Sequence, residues 1–255
     1  MAIDDKRFLI TGAASGLGAA TAMALAAAGA RVLLVDLDTA GLERMQRAIG
    51  ERARCAPADI CSTVQAQTAI TVAREVFGGL DGLVNCAGIV SGGKILGKHG
   101  ALDLEAFARV VNVNLIGSFN MLRLVAELML DNPPDADGER GVIINTASVA
   151  AYDGQVGQAA YAASKGAIVS LTLPAARELA VHGIRVVTIA PGIFETPMMA
   201  GMSEEIRAGL AAGVPFPARL GRPEEYAALV RHIIDNRMLN GEVIRLDGAL
   251  RMAAR

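Results

Sequence analysis

A chain of 255 residues with 24 Lys and Arg against 26 Asp and Glu carries a net charge of −2, which excludes the basic footprint of a nucleic-acid binder or of an anionic-membrane surface protein. Its hydrophobic content of 53% can fill a large core, and aromatics at 4% with no Trp point to aliphatic packing. Three cysteines (Cys55, Cys61, Cys86) cannot all pair and lack metal-ligand spacing, so a reduced, cytoplasmic protein without a metal is expected.

The opening MAIDDKRFLITG runs from acidic residues straight into a predicted strand at 7–11, so no leader peptide is expected. TGAASGLG follows, with Gly12, Gly16 and Gly18 between this strand and a helix at 16–28. Glycines there permit a tight turn and close backbone approach to a pyrophosphate at a helix N-terminus. The Ala-rich helix is too short and too weakly apolar to span a bilayer. A second strand, 31–36, ends at Asp36, 18 residues beyond Gly18 and near the separation expected for an acid that binds an adenosine ribose. A carboxylate there repels a 2′-phosphate, and Leu37 stands where an arginine would welcome one. NAD(H) is therefore expected over NADP(H).

Helices at 39–49 and 62–77 flank a strand at 54–58, and a strand at 82–86 precedes the lysine-containing stretch SGGKILGKHGA, 91–101. A long helix at 103–130 leads through the exposed loop DNPPDADGER to a strand at 141–147. A helix at 158–181 and a strand at 184–190 come next. An excursion at 191–222 then carries Pro191, Pro197, Pro215 and Pro217 around a short helix, and a helix at 223–236 and a strand at 242–246 close the chain. Near-continuous apolar strands alternating with helices predict an α/β fold with a doubly wound, seven-stranded parallel sheet of Rossmann type. No linker or shift in composition divides the chain, so a single domain over 1–255 is expected.

The segment SVAAYDGQVGQAAYAASK, 148–165, holds Ser148, then Tyr161, then Lys165 four positions later. The i, i+4 spacing puts phenol and ammonium on one helix face. A lysine beside a tyrosine favours the phenolate and lowers its pKa, giving an acid or base usable near neutrality. Taken alone, the same residues also suit a core tyrosine and a solvated lysine.

The order and spacing of TGAASGLG, NCAG (85–88), NVNLIG (112–117), Ser148, Tyr161-x-x-x-Lys165 and Pro191-Gly192 resemble the short-chain dehydrogenase/reductase family over essentially the whole chain. GVIINTASVAAYDGQVGQAAYAASKG, VPFPARLG and LNGEVIRLDGALRM are similar to the type-2 3-hydroxyacyl-CoA dehydrogenases, also called 17β-hydroxysteroid dehydrogenase type 10. The resemblance implies Tyr161 as general acid/base, Lys165 as its partner and ribose ligand, and Ser148 on the substrate oxygen. Asn114 would hold a water that links Lys165 to solvent. For the cofactor it implies Gly12, Ser15, Gly16, Leu17 and Gly18 in the first turn and Asp36 on the ribose. Asp59, Ile60 and Cys86 would lie by the adenine, with Ala87 and Gly88 alongside, and Pro191, Phe194 and Thr196 by the nicotinamide. Ser148, Gln158 and Tyr161 would meet the substrate. Cys86 replaces the second asparagine of the commoner NNAG form.

His99, His182 and His232 are isolated, and Tyr152 and Ser164 lack the catalytic spacing. A catalyst is favoured over a dinucleotide-binding scaffold because a scaffold has no need for Ser148, Tyr161 and Lys165 together. The excursion is apolar at Ile193, Phe194, Met198, Met199, Met202, Leu210, Val214 and Phe216, which suits an acyl chain or a steroid. Lys94, Lys98 and Arg207 are available for CoA phosphates. The expected reaction is NAD-dependent oxidation of 3-hydroxyacyl-CoA, with hydroxysteroid oxidation or 3-oxoacyl thioester reduction as alternatives. The family commonly forms homotetramers, for which helix 103–130 and the C-terminal stretch are suited.

Overall fold

A computed structural model of the chain describes residues 1–98, 100–199 and 203–254. His99, Met202 and the side chain of Met198 lie outside the described residues. In chain order the elements are β1 (Arg7–Thr11), α1 (Gly16–Ala27), β2 (Arg31–Val35), α2 (Thr39–Ile49), β3 (Ala53–Cys55), α3 (Thr63–Phe77) and β4 (Gly82–Asn85). A two-residue hairpin, β5 (Leu96–Gly97) and β6 (Gly100–Ala101), precedes α4 (Leu104–Val111) and α5 (Ser118–Met129). Then come β7 (Gly141–Thr146), α6 (Ala159–Ala180), β8 (Ile184–Pro191), α7 (Glu204–Ala212), α8 (Pro223–Asp235) and β9 (Val243–Leu246).

The seven long strands form one parallel sheet in the order β3-β2-β1-β4-β7-β8-β9, as expected for a doubly wound fold. Side chains alternate between two apolar layers. Leu9, Leu33 and Ile143 face a layer built by α3, α5 and α6, whereas Phe8, Ile10, Leu34 and Ile144 face one built by α1 and α8. Each fully buried Leu, Ile or Phe in these layers contributes about 1.5–3 kcal/mol. The strand order reverses between β1 and β4, so the carboxyl ends at Thr11 and Asn85 open a crevice above the sheet.

Two expectations need correction. The strand expected at 54–58 shrinks to Ala53–Cys55 at the sheet edge, because the fixed φ of Pro57 draws the chain out of regular strand geometry. Only single bonds continue the pairing, from Ala56 N to Leu34 O and from Ala58 N to Asp36 O. The helix expected at 103–130 is α4 and α5 separated by a π-helical turn at Asn112–Gly117. At its centre, Asn114 is fully buried. Its Oδ1 accepts from Ile89 N at 2.8 Å, and its Nδ2 donates to Ile89 O at 3.0 Å. This grip on the chain beyond β4 fixes where the extra residue sits, consistent with the habit of π turns to gather at functional sites.

Candidate active site

The glycine turn has the geometry that its sequence requires. Gly12 has φ +67°, and a Cβ there would lie 2.8 Å from Ala87 N. A Cβ on Gly18 would collide with the Gly12 carbonyl, so α1 can start tight under the turn only with glycine. Ser15 is the exposed N-cap of α1 and makes no side-chain cap, leaving the first helical N–H groups available. Leu17 packs its side chain on the core. At the end of β2, Asp36 Oδ2 accepts from Ala14 N at 3.1 Å, which sets the carboxylate against the glycine turn. Leu37 beside it is exposed.

Thr11 ties the two lips of the crevice together, since its Oγ1 accepts from both Cys86 N and Ala87 N at 3.1 Å. Gly88 lies against Asn114 and Lys165: a Cβ there would be 3.1 Å from Asn114 Oδ1 and 3.5 Å from Lys165 Nζ. Thr196, beyond β8, reaches over the glycine turn, and a Cβ on Gly16 would sit 3.4 Å from its Cγ2. The turn after β1, the 86–88 stretch, the start of α6 and the end of β8 therefore enclose one cleft.

Within it, Ser148 begins the short turn after β7 and its Oγ accepts from Ala150 N at 3.1 Å. Lys165 is buried, donates from Nζ to Thr146 O at 2.7 Å, and stands 5.9 Å from the centre of the Tyr161 ring. Burial pulls its pKa down to about 8, opposed by the nearby Cys86. The lowering of the Tyr161 pKa expected from this lysine is not found. Burial raises the phenol above its ordinary value, and a hydrogen bond with Ser148 only partly offsets the rise. The ammonium is engaged with Thr146 and is itself destabilised by the same dry surroundings.

Ile60, Asp59, Phe194 and Cys86 each have a defined protein environment. Ile60 turns its side chain into the core, where it fills the space over Gly117. Asp59 accepts from Cys61 N at 2.8 Å. The Phe194 ring is buried against Gly221, with which its backbone forms a single β-bridge. The Cys86 thiol points to Tyr226, with Sγ donating to Tyr226 Oη at 3.7 Å, and burial raises its pKa. Val214 is buried while Phe216 is exposed, so the apolar excursion divides between core and surface. Lys94, Lys98 and Arg207 are exposed.

Three contributors escaped the sequence. Ser164 accepts from Asn114 Nδ2 at 3.0 Å and donates to the Tyr161 carbonyl at 2.8 Å, joining the π turn to the catalytic helix. Its position three residues after Tyr161 was the available signal. Thr146 carries the Lys165 contact on its carbonyl, and its Oγ1 lies 2.7 Å from the hydroxyl of fully buried Tyr226. Neither Thr146 nor Tyr226 has a local sequence signature.

The family model described as short chain dehydrogenase matches residues 6–207. The 3-hydroxyacyl-CoA dehydrogenase type-2 of Bos taurus is 58% identical over 246 residues, covering 96% of this chain and 94% of the relative. The crystal structure of 3-hydroxyacyl-CoA dehydrogenase type-2 from Mycobacterium avium superposes with a TM-score of 0.94 at 38% identity, covering 98% of this chain and 97% of that one. A 3-ketoacyl-(acyl-carrier-protein) reductase from Brucella melitensis, crystallised with NADH, superposes with a TM-score of 0.87 at 33% identity over 98% of this chain and all of that one.

Proposed function

Because the chain belongs to the short-chain dehydrogenase family, we propose that it is an NAD-dependent oxidoreductase that interconverts 3-hydroxyacyl-CoA and 3-oxoacyl-CoA. The observation that carries this reading is the shared cleft of Ser148, Tyr161 and Lys165 with a glycine turn backed by Asp36. The glycine cradle fits a dinucleotide, since a Cβ at Gly12 or Gly18 would fill the space beside the backbone. Asp36 suits a ribose with a free 2′-hydroxyl. When bound, NAD supplies the hydride acceptor for the alcohol carbon.

The protein groups handle the proton and the position of the oxygen. Tyr161 exchanges the proton with the substrate oxygen, and Ser148 donates a hydrogen bond to that oxygen as charge develops on it. Lys165 would hold the nicotinamide ribose. Asn114 and Ser164 fix the backbone at which Tyr161 begins its turn of helix. Gln158, at the N-cap of α6, is assigned to the acyl part.

The acyl-CoA assignment is supported by the names of the similar dehydrogenases and by the exposed cations Lys94, Lys98 and Arg207 on two segments beside the cleft. The excursion at 191–222 serves as the substrate loop. A homotetramer is favoured by an open groove of about 610 Å³ on α4 and the π turn, lined by Phe107, Val111 and Ile116, which a second copy would cover. No helix among the described residues is long and apolar enough to cross a membrane, and the three free thiols suit a reducing, cytoplasmic setting.

The test is steady-state assay of acetoacetyl-CoA and a 17β-hydroxysteroid on one preparation. The acyl-CoA is expected to have the higher kcat/KM. A steroid preference of about tenfold, equivalent to about 1.4 kcal/mol, would reverse the assignment.

A further inference from the structure

Beyond β9 the chain makes a tight turn, Asp247–Leu250, in which Gly248 and Ala249 both have left-handed backbones, with φ of 59° and 66°. An alanine held there is strained, so its surroundings must fix it. Ala249 N donates to Asp247 Oδ1, and Leu250 N to Asp247 O, both at 3.0 Å. The turn touches the excursion, because Phe216 N donates to Gly248 O at 3.3 Å and a Cβ on Gly248 would lie 2.6 Å from Val214 Cγ1.

On its other side the turn grips the stretch that leads into the catalytic helix. Arg245 Nη2 donates to Asp153 Oδ2 at 2.6 Å and to Leu250 O at 3.0 Å, while its Nε donates to Asp247 Oδ2 at 2.7 Å. The guanidinium lies 5.2 Å from the Tyr152 ring centre, a cation–π distance. The tail continues along the same stretch. Val156 N donates to Ala254 O, and Gln155 Nε2 to Ala253 O, both at 3.0 Å. Gln155 Oε1 in turn accepts from Gln158 Nε2 at 3.3 Å.

We propose that Arg245 and Gln155 are positioning residues, which together with the tail at 251–254 form a latch holding Gln158 in its substrate-facing place. The latch acts on substrate affinity, because the hydrogen bonds made by the Arg245 and Gln155 side chains include none to Ser148, Tyr161 or Lys165. The same turn carries contacts to Val214 and Phe216, so the substrate loop and the 152–158 stretch are set by one hub. This inference rests on the acyl-CoA reading in one respect, that Gln158 faces the substrate.

The experiment compares Arg245→Met, Arg245→Lys, Gln155→Leu and a deletion of 251–255 with the wild type, measuring KM, kcat and NADH Kd. Arg245→Met, Gln155→Leu and the deletion are each expected to raise KM for acetoacetyl-CoA by roughly five- to tenfold, as loss of a hydrogen bond implies. Turnover and NADH Kd should stay within about twofold, since neither reports on Gln158. Arg245→Lys, which keeps a cation for Asp153, should recover most of the KM. An unchanged KM in the folded variants overturns the latch, as does a loss of kcat and NADH binding in step with KM. If Arg245→Met does not fold, the deletion and Gln155→Leu decide, because both leave the Arg245–Asp153–Asp247 contacts intact. If the wild type ignores acetoacetyl-CoA and reduces another ketone, the substrate assignment falls, and the same ratios read with that ketone still decide the latch.

Discussion

The Lys165 ammonium donates to the Thr146 carbonyl at 2.7 Å, joining the catalytic helix to the end of β7 from the inside. Burial lowers its pKa from 10.5 to about 8. Below pH 8 both folded and unfolded chains carry the proton, but the folded one holds it against a desolvation penalty. Between about pH 8 and 10.5 the unfolded state binds more protons, so this group makes unfolding free energy rise with pH there. Lys165→Met is expected to flatten that rise, as read from denaturant midpoints across the same pH range. NADH binding should weaken in the variant at pH 7.

Tyr161→Phe removes the proposed proton carrier and leaves the ring. Turnover should fall by roughly 10²–10⁴-fold, the contribution of a positioned acid–base group, with NADH Kd nearly unchanged. Because burial raises the phenol, alcohol oxidation by the wild type should accelerate as pH increases above neutrality. Ketone reduction, which uses the neutral phenol, should show no such gain from the same group. Stopped-flow rates in both directions check the pair of profiles.

Asp36 is the residue proposed to set the choice of cofactor. Loss of a ribose hydrogen bond, together with a carboxylate–phosphate clash, should disfavour NADP by about 1 kcal/mol or more from each source. Asp36→Ala should narrow the NAD preference in kcat/KM, and adding Leu37→Arg should narrow it further. Comparable values for NAD and NADP in the wild type would remove Asp36 from this role.

Gly12→Ala places a methyl 2.8 Å from Ala87 N on a backbone at φ +67°. The left-handed conformation alone costs roughly 1–2 kcal/mol in a non-glycine residue. Thermal unfolding should show that loss, and NADH affinity should fall because the lips of the crevice are pushed apart.

Ile116 is half exposed on the open groove beside Phe107 and Val111. Ile116→Glu is expected to split the proposed homotetramer, as read by light scattering at micromolar concentration. A wild type that scatters as a monomer would dismiss the tetramer.

The sequence made the sheet readable because β1, β2, β7 and β8 are continuous apolar runs buried on both faces. The glycine turn was readable because its spacing lies between a strand and a helix. The Tyr161 ionisation was not, because desolvation depends on what covers a residue and spacing only says which residues are neighbours. Ser164 and Tyr226 act through contacts to Asn114 and Thr146, 50 and 80 residues away, and no local pattern records such meetings. The tail contacts at Gln155 and Val156 are hidden for the same reason.

The π turn at Asn112–Gly117 also solves a problem of phase. One extra residue rotates everything after it by about 100° relative to an unbroken α-helix. Before the turn, α4 lies against α6; after it, α5 lies against α3. A single straight stripe of apolar residues could serve only one of these neighbours. The inserted step re-aims the stripe, so a single rod of chain is shared between two helices of the same layer, α6 and α3. Removing one residue from 112–117 would realign the two halves, turning Met121, Leu124 and Leu128 away from α3 while leaving their spacing untouched.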